Sequence, residues 1–138
     1  MAPVKQIVVL RFKDPSKKEE AIEKSEAYWK WAFENEALKE HIHHQGVKVS
    51  ADGNEHTCTF VFTDGGAMDK MTPLVMSYPK MDDIMWAREQ YDELSNVYSI
   101  SDEDKPALVA INEARKRVCT YNNDPVNLAD FPAGHTWE

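Results

Sequence analysis

Cysteine is nearly missing from this chain: Cys58 and Cys119 are the only two in 138 residues. One disulfide is formally possible, a disulfide scaffold is not, and no CxxC spacing offers a metal site. No apolar run reaches the length needed to span a bilayer. Met1-Ala2-Pro3-Val4-Lys5 lacks the pattern of a secretory signal. Positive charge is short as well. Lysine and arginine total 16 against 24 acidic residues, a formal net charge of -8. Such a surface repels phosphate backbones and anionic lipid, which argues against nucleic-acid and membrane partners. Walker, GxGxxG and GxSxG motifs are absent, so nucleotide-binding and serine-hydrolase readings have nothing to stand on. The acidic stretch Ser101 to Asp104 has neither the length nor the glycine of a calcium loop and reads as a helix start. The expectation is a reduced, soluble, cytoplasmic protein with one folded domain over residues 1–121 and a tail over 122–138 that is rich in turn residues.

What is present is a run of alternating and helical patterns. Val4 to Lys13 reads as a strand, with a continuous apolar centre that suggests cover on both sides. Asp14-Pro15-Ser16 ends it, and Ser16 with Glu19 has the spacing of a capping box. A helix follows from about Lys17 to about Glu40, with Ile22, Trp29, Ala32, Phe33 and Glu36 on one stripe and Tyr28, Trp31, Leu38 and Ile42 off it; the second stripe implies another contact or a break near Asn35. Gly46 to Ser50 reads as strand two. Asp52-Gly53-Asn54 signals a hairpin into strand three. Ala67 to Met76 has helical character interrupted by Pro73. Met81 to Leu94 reads as a better helix, Ala107 to Arg117 as another, and Val118 to Tyr121 as a short strand or a last helical turn. This order implies an α+β fold, a ferredoxin-like split βαβ sheet with helices on one face. Because Phe60, Phe62 and Val8 are not expected to point all at helices, the reading brings in a second copy of the chain to cover the open face, forming a homodimeric barrel.

Strand three carries the feature that bears on function. His56, Cys58, Phe60 and Phe62 share one face, because side chains in a strand repeat every two residues. An imidazole therefore lies in line with an apolar, aromatic row. Histidine is the side chain whose ordinary pKa lets it exchange a proton near neutrality. As a general base it could take a proton next to a carbonyl, with Tyr78 or Tyr91 hydrogen-bonding the developing oxyanion. The plainer alternative is a strand-edge histidine bonded to Glu55 or water. Val8, Phe60, Phe62 and Trp86 are the candidate pocket wall, and Arg88 is a candidate partner for a substrate carboxylate. Met68, Met71, Met76, Met81 and Met85 suit either a lid or a core. His41, His43 and His44, with a nearby glutamate, are a weaker candidate for a metal; their spacing matches no strong signature, and no metal or organic cofactor is expected.

The stretch Val4-Lys5-Gln6-Ile7-Val8-Val9-Leu10-Arg11-Phe12-Lys13-Asp14 resembles the first strand of the dimeric α+β barrel proteins, in their stress-responsive and olivetolic-acid-cyclase-like branch. Glu55 to Asp64 resembles that branch's third strand, and His56 falls where its cyclases carry a histidine. The resemblance covers roughly the first half of the chain. At the first-strand position where the cyclases show a second histidine, this chain has Gln6 or Lys5. The resemblance implies paired ferredoxin-like units, each holding a small hydrophobic molecule. It implies cofactor-free, cyclase-like acid/base chemistry on a hydrophobic carbonyl or phenolic substrate. Cofactor-independent monooxygenation and non-catalytic, stress-associated ligand binding are the alternatives.

Overall fold

The computed structural model describes residues 2–138. Six strands form one sheet in the order β5-β4-β1-β3-β2-β6. Its centre is β1 (Val4–Phe12), β2 (Ile42–Val49), β3 (Glu55–Phe62) and β4 (Tyr91–Ser99), all antiparallel neighbours. This is the ferredoxin-like arrangement expected. Gly53, with φ of 76°, makes the β2–β3 hairpin turn that its sequence signalled. Helices α1 (Lys18–Glu34), α2 (Glu36–Lys39), α3 (Ala67–Val75), α4 (Met81–Glu89) and α5 (Lys105–Ala114) fill the connections. Two short strands extend the edges: β5 (Thr120–Asn122) runs parallel to β4, and β6 (Gly134–Trp137) parallel to β2. No helix is long and apolar enough to cross a membrane among the described residues.

Register explains which side chains meet. Across the sheet, Tyr98, Gln6, Phe60, Gln45 and His135 lie in one row, and Asn96, Val8, Cys58, Val47 and Trp137 in the next. Leu10 pairs with His56 on one side and Glu93 on the other. These rows face the helices. Phe60, Phe62 and Val8 therefore do point together at helices, contrary to the reason first given for a second sheet. The cover comes from within the chain: Val4, Ile42, Phe62 and Tyr98 share a core with Ala32, Leu38, Met71 and Leu108.

One open alternative is resolved at the helix after β1, and three other details differ from the sequence reading. The long helix breaks at Asn35, whose side chain accepts from the amides of Ala37 and Leu38 and caps α2. At the chain's first turn the cap is Asp14, accepting from the Ser16 amide, in place of Ser16 itself. Strand two starts at Ile42 and not at Gly46, so His43 and His44 belong to the sheet. The helix from Met81 stops at Glu89; Tyr91 to Ser99 is β4. Sheet pairing overrides the helical spacing there, because β1 needs a partner on its other edge.

The chain between β5 and β6 passes from one sheet edge to the other over the face away from the helices. Phe131 lies 5.9 Å from the Lys5 ammonium. His43 Nε2 donates to the carbonyls of Phe131 at 2.8 Å and Leu128 at 3.2 Å, and His44 Nδ1 donates to Pro132 at 2.7 Å. Two of the three clustered histidines thus fasten this crossing segment. Among the described residues no three His, Cys, Asp or Glu side chains gather in a way that could hold a metal ion.

Candidate functional site

Between the sheet and the helices lies a cavity of about 670 Å³, a volume in the range of small-molecule sites. Its floor is the sheet row of Val8, Cys58, Phe60 and Phe62, with Gln6, Gln45 and Val47 beside them. Helix α1 adds Ser25, Tyr28 and Trp29; α3 adds Met68, Met71 and Val75; α4 adds Ile84 and Arg88. His56, Tyr91 and Trp137 close one end.

His56 is 2% exposed. Its register opposite Leu10 turns the ring inward, where aromatic side chains surround it. Phe12 meets it edge-on at 5.0 Å between ring centres, and Trp137 does so at 5.1 Å. Tyr91 Oη lies 3.3 Å from Nδ1. Nε2 is buried and has no hydrogen-bond partner. Unpartnered buried nitrogens are uncommon in folded proteins and call for an explanation. Burial, aided by the Lys18 charge, lowers the ring's pKa from 6.5 to about 4, so it is neutral at physiological pH. Burial also raises the Tyr91 pKa, so its phenol keeps its proton. The Cys58 thiol is pushed up to about 12 by the same cause and stays unionised.

The pair supports two proton arrangements. With Nδ1–H donating to Tyr91 Oη, Nε2 keeps a lone pair and can accept a proton. With the phenol donating to Nδ1, Nε2 carries the hydrogen and can polarise a carbonyl. Further along the floor, Gln6 Nε2 donates to Asn96 Oδ1 at 3.0 Å. Gln45 Oε1 bonds to His135 Nδ1, and His135 stacks on Trp29.

Not every residue singled out from sequence comes here. His56, Tyr91, Val8, Phe60, Phe62 and Arg88 do. Tyr78 does not: it packs on Tyr28 and Trp31, with ring centres at 5.2 and 4.9 Å, and is absent from the cavity wall. It is therefore not placed to orient a substrate beside His56. Trp86 is also outside. Ile84 and Arg88, four apart, take the cavity side of α4, and Trp86 turns instead beneath the Lys24 ammonium at 4.8 Å. Tyr28, Ser25 and Trp137 are wall residues the sequence reading missed. The spacing Ala21, Ser25, Tyr28, Ala32 is a helical stripe that could have revealed the first two. Trp137 carried no local signal, because its place depends on a strand added at the far end of the chain.

No family model matches this sequence, and no curated protein matches it. Solved structures resemble it in fold. MupZ from Pseudomonas fluorescens has a TM-score of 0.64 at 10% identity, over 91% of this chain and 88% of that one. A conserved protein from Methanosarcina mazei Go1 has a TM-score of 0.53 at 14% identity, over 72% and 93%. A dimeric ferredoxin-like protein from an uncultured marine organism has 0.54 at 5%, over 72% and 85%. At these identities the likeness establishes the ferredoxin-like α+β fold and nothing finer.

Proposed function

We propose that this protein is a dimeric α+β barrel enzyme that binds a small hydrophobic carbonyl or phenolic molecule and moves a proton on it without a cofactor. The observation that carries this reading is the buried, unpartnered Nε2 of His56 at the end of an apolar cavity. In the proposed chemistry Nε2 takes an acidic proton next to a carbonyl, or a phenolic proton. The imidazolium that forms shares its Nδ1–H with Tyr91 Oη. Val8, Phe60 and Phe62 hold the apolar body, and Arg88 faces the polar end. A base that resists charging passes its proton on readily, which suits a cyclisation in which the same proton is returned to product.

The sheet face away from the helices, which the segment between β5 and β6 crosses, presents Ile7, Val9, Thr57, Thr59 and Val97, all half-buried. A homodimer would cover this face, as the dimeric state of the marine ferredoxin-like protein suggests by analogy. Non-catalytic ligand binding is the second reading. The low pKa of His56 favours it, because such a ring is a weak base.

The test is His56→Gln assayed on a panel of hydrophobic β-dicarbonyl and phenolic compounds. Loss of turnover with retained ligand binding and folding supports the enzyme. Turnover that survives the substitution removes His56 from the chemistry. Binding by the native protein with no turnover on any compound selects the second reading.

A further inference from the structure

Arginine is scarce in this chain, and its distribution is uneven. There are four: Arg11, Arg88, Arg115 and Arg117. Three of them line the cavity, while none of the twelve lysines does. They arrive from two elements far apart in sequence, α4 and the turn after α5. Random placement of cations on a surface of net charge -8 would put lysines there at least as often.

The three differ in how they are held. Arg115 Nη2 donates to Thr72 Oγ1 at 3.1 Å and lies 3.9 Å from Asp69. Arg117 lies 3.5 Å from Glu93. Arg88 has no ion pair among the described residues. Both acidic partners are substantially exposed, so those pairs contribute little and are easily exchanged for another anion. Arginine differs from lysine in its planar fork, which matches an oxyanion with two parallel hydrogen bonds.

The register sets the spacing. Glu93, which marks the Arg117 side, pairs with Leu10, and Leu10 pairs with His56. Two strand spacings separate them, about 10 Å. Leu10 lies between them in that row, and Phe60, Tyr28, Met68 and Met71 line the same cavity.

Resting on the reading that this cavity binds a small molecule, we propose that its ligand is an amphiphilic oxyanion. A carboxylate or phosphate head meets Arg88, Arg115 and Arg117, and an apolar body extends to His56. This narrows the substrate class from hydrophobic molecules in general to those carrying an acidic group remote from the reacting carbon.

The probes are phenylhexanoate, phenylhexyl phosphate and phenylhexanol, followed by tryptophan fluorescence, since Trp29 and Trp137 line the cavity. At least one oxyanion should bind about tenfold or more tightly than the alcohol, in line with about 1.4 kcal/mol per factor of ten. Which oxyanion wins identifies the head. Arg88→Gln should remove most of that advantage and leave phenylhexanol binding unchanged. Arg11→Gln is the control: Arg11 lies outside the cavity beside Asp52 and Glu55, and its loss should change nothing. Equal affinity for acid and alcohol, or equal effects of Arg88→Gln and Arg11→Gln, overturns the oxyanion proposal and leaves the binding reading standing. Failure of all three probes to bind overturns both.

Discussion

Acid should destabilise this protein through His56 by an amount that can be isolated. The unfolded chain takes a proton on this ring near 6.5, whereas the folded chain holds it out until about 4. Between those values the unfolded state binds more protons, so folding stability falls as pH falls from 6.5 to about 4 and levels off below. Above 6.5 the ring is neutral in both states and contributes no pH dependence. The gap of 2.5, at about 1.4 kcal/mol each, gives about 3 kcal/mol. In a chain of this size that is roughly 10 °C in melting temperature. Other groups act in the same direction. The carboxyls of Asp14 and Asp52 are held below their usual range, chiefly by hydrogen bonds from Ser16 and Ser50, and they lose that stabilisation in acid. The assay therefore compares wild type with His56→Gln by urea unfolding at each pH. The variant carries a constant offset from altered packing, but the wild-type curve should drop relative to it by about 3 kcal/mol between pH 7 and pH 3.5. Parallel curves would show that the ring ionises as freely in the folded protein as in the unfolded one, and the enclosed-imidazole argument would collapse.

Other consequences can be checked separately. Trp137→Ala should uncover His56, so that diethylpyrocarbonate labels it faster in the variant while Trp137→Phe stays slow; equal labelling would mean that Trp137 does not shield the ring. Tyr91→Phe should fold normally and lower kcat on an accepted substrate by roughly ten- to a hundredfold, as expected for loss of one positioned hydrogen-bonding group; an unchanged kcat would exclude the pairing with Nδ1 from the mechanism. Ile7→Glu should shift sedimentation from dimer to monomer without unfolding the chain, and a native protein that sediments as a monomer would remove the proposed face-to-face pairing.

Much of the fold was legible because it is written in short-range signals. The alternation of β1 and β3, the Asp52-Gly53-Asn54 turn and the acidic start of α5 each act within a few residues. Strand β4 was misread because Tyr91, Leu94 and Asn96 carry no clean alternation, and the register slips by one residue between Val9 and Leu10. That strand exists because β1 has a second edge to satisfy, which no local window reveals. The site divided in the same way. His56 and its apolar row follow from period two alone. Tyr91 joins His56 only through β1, which lies between their strands. Tyr78 was named for its phenol alone, whereas its ring packs on Tyr28 and Trp31 of α1. The arginines illustrate the converse: Arg115 and Arg117 follow the end of α5, where cations are ordinary, and only the fold puts them on the cavity wall that Arg88 also lines.

The central claim is that a neutral imidazole closes an apolar cavity that receives a small molecule. A crystal structure of the protein grown with phenylhexanoate tests it most directly. The account predicts ligand density between the sheet and helices α1 and α4, its ring against His56 and its carboxylate at Arg88. Density confined to the outer surface, or a His56 ring turned out into bulk water, would contradict it.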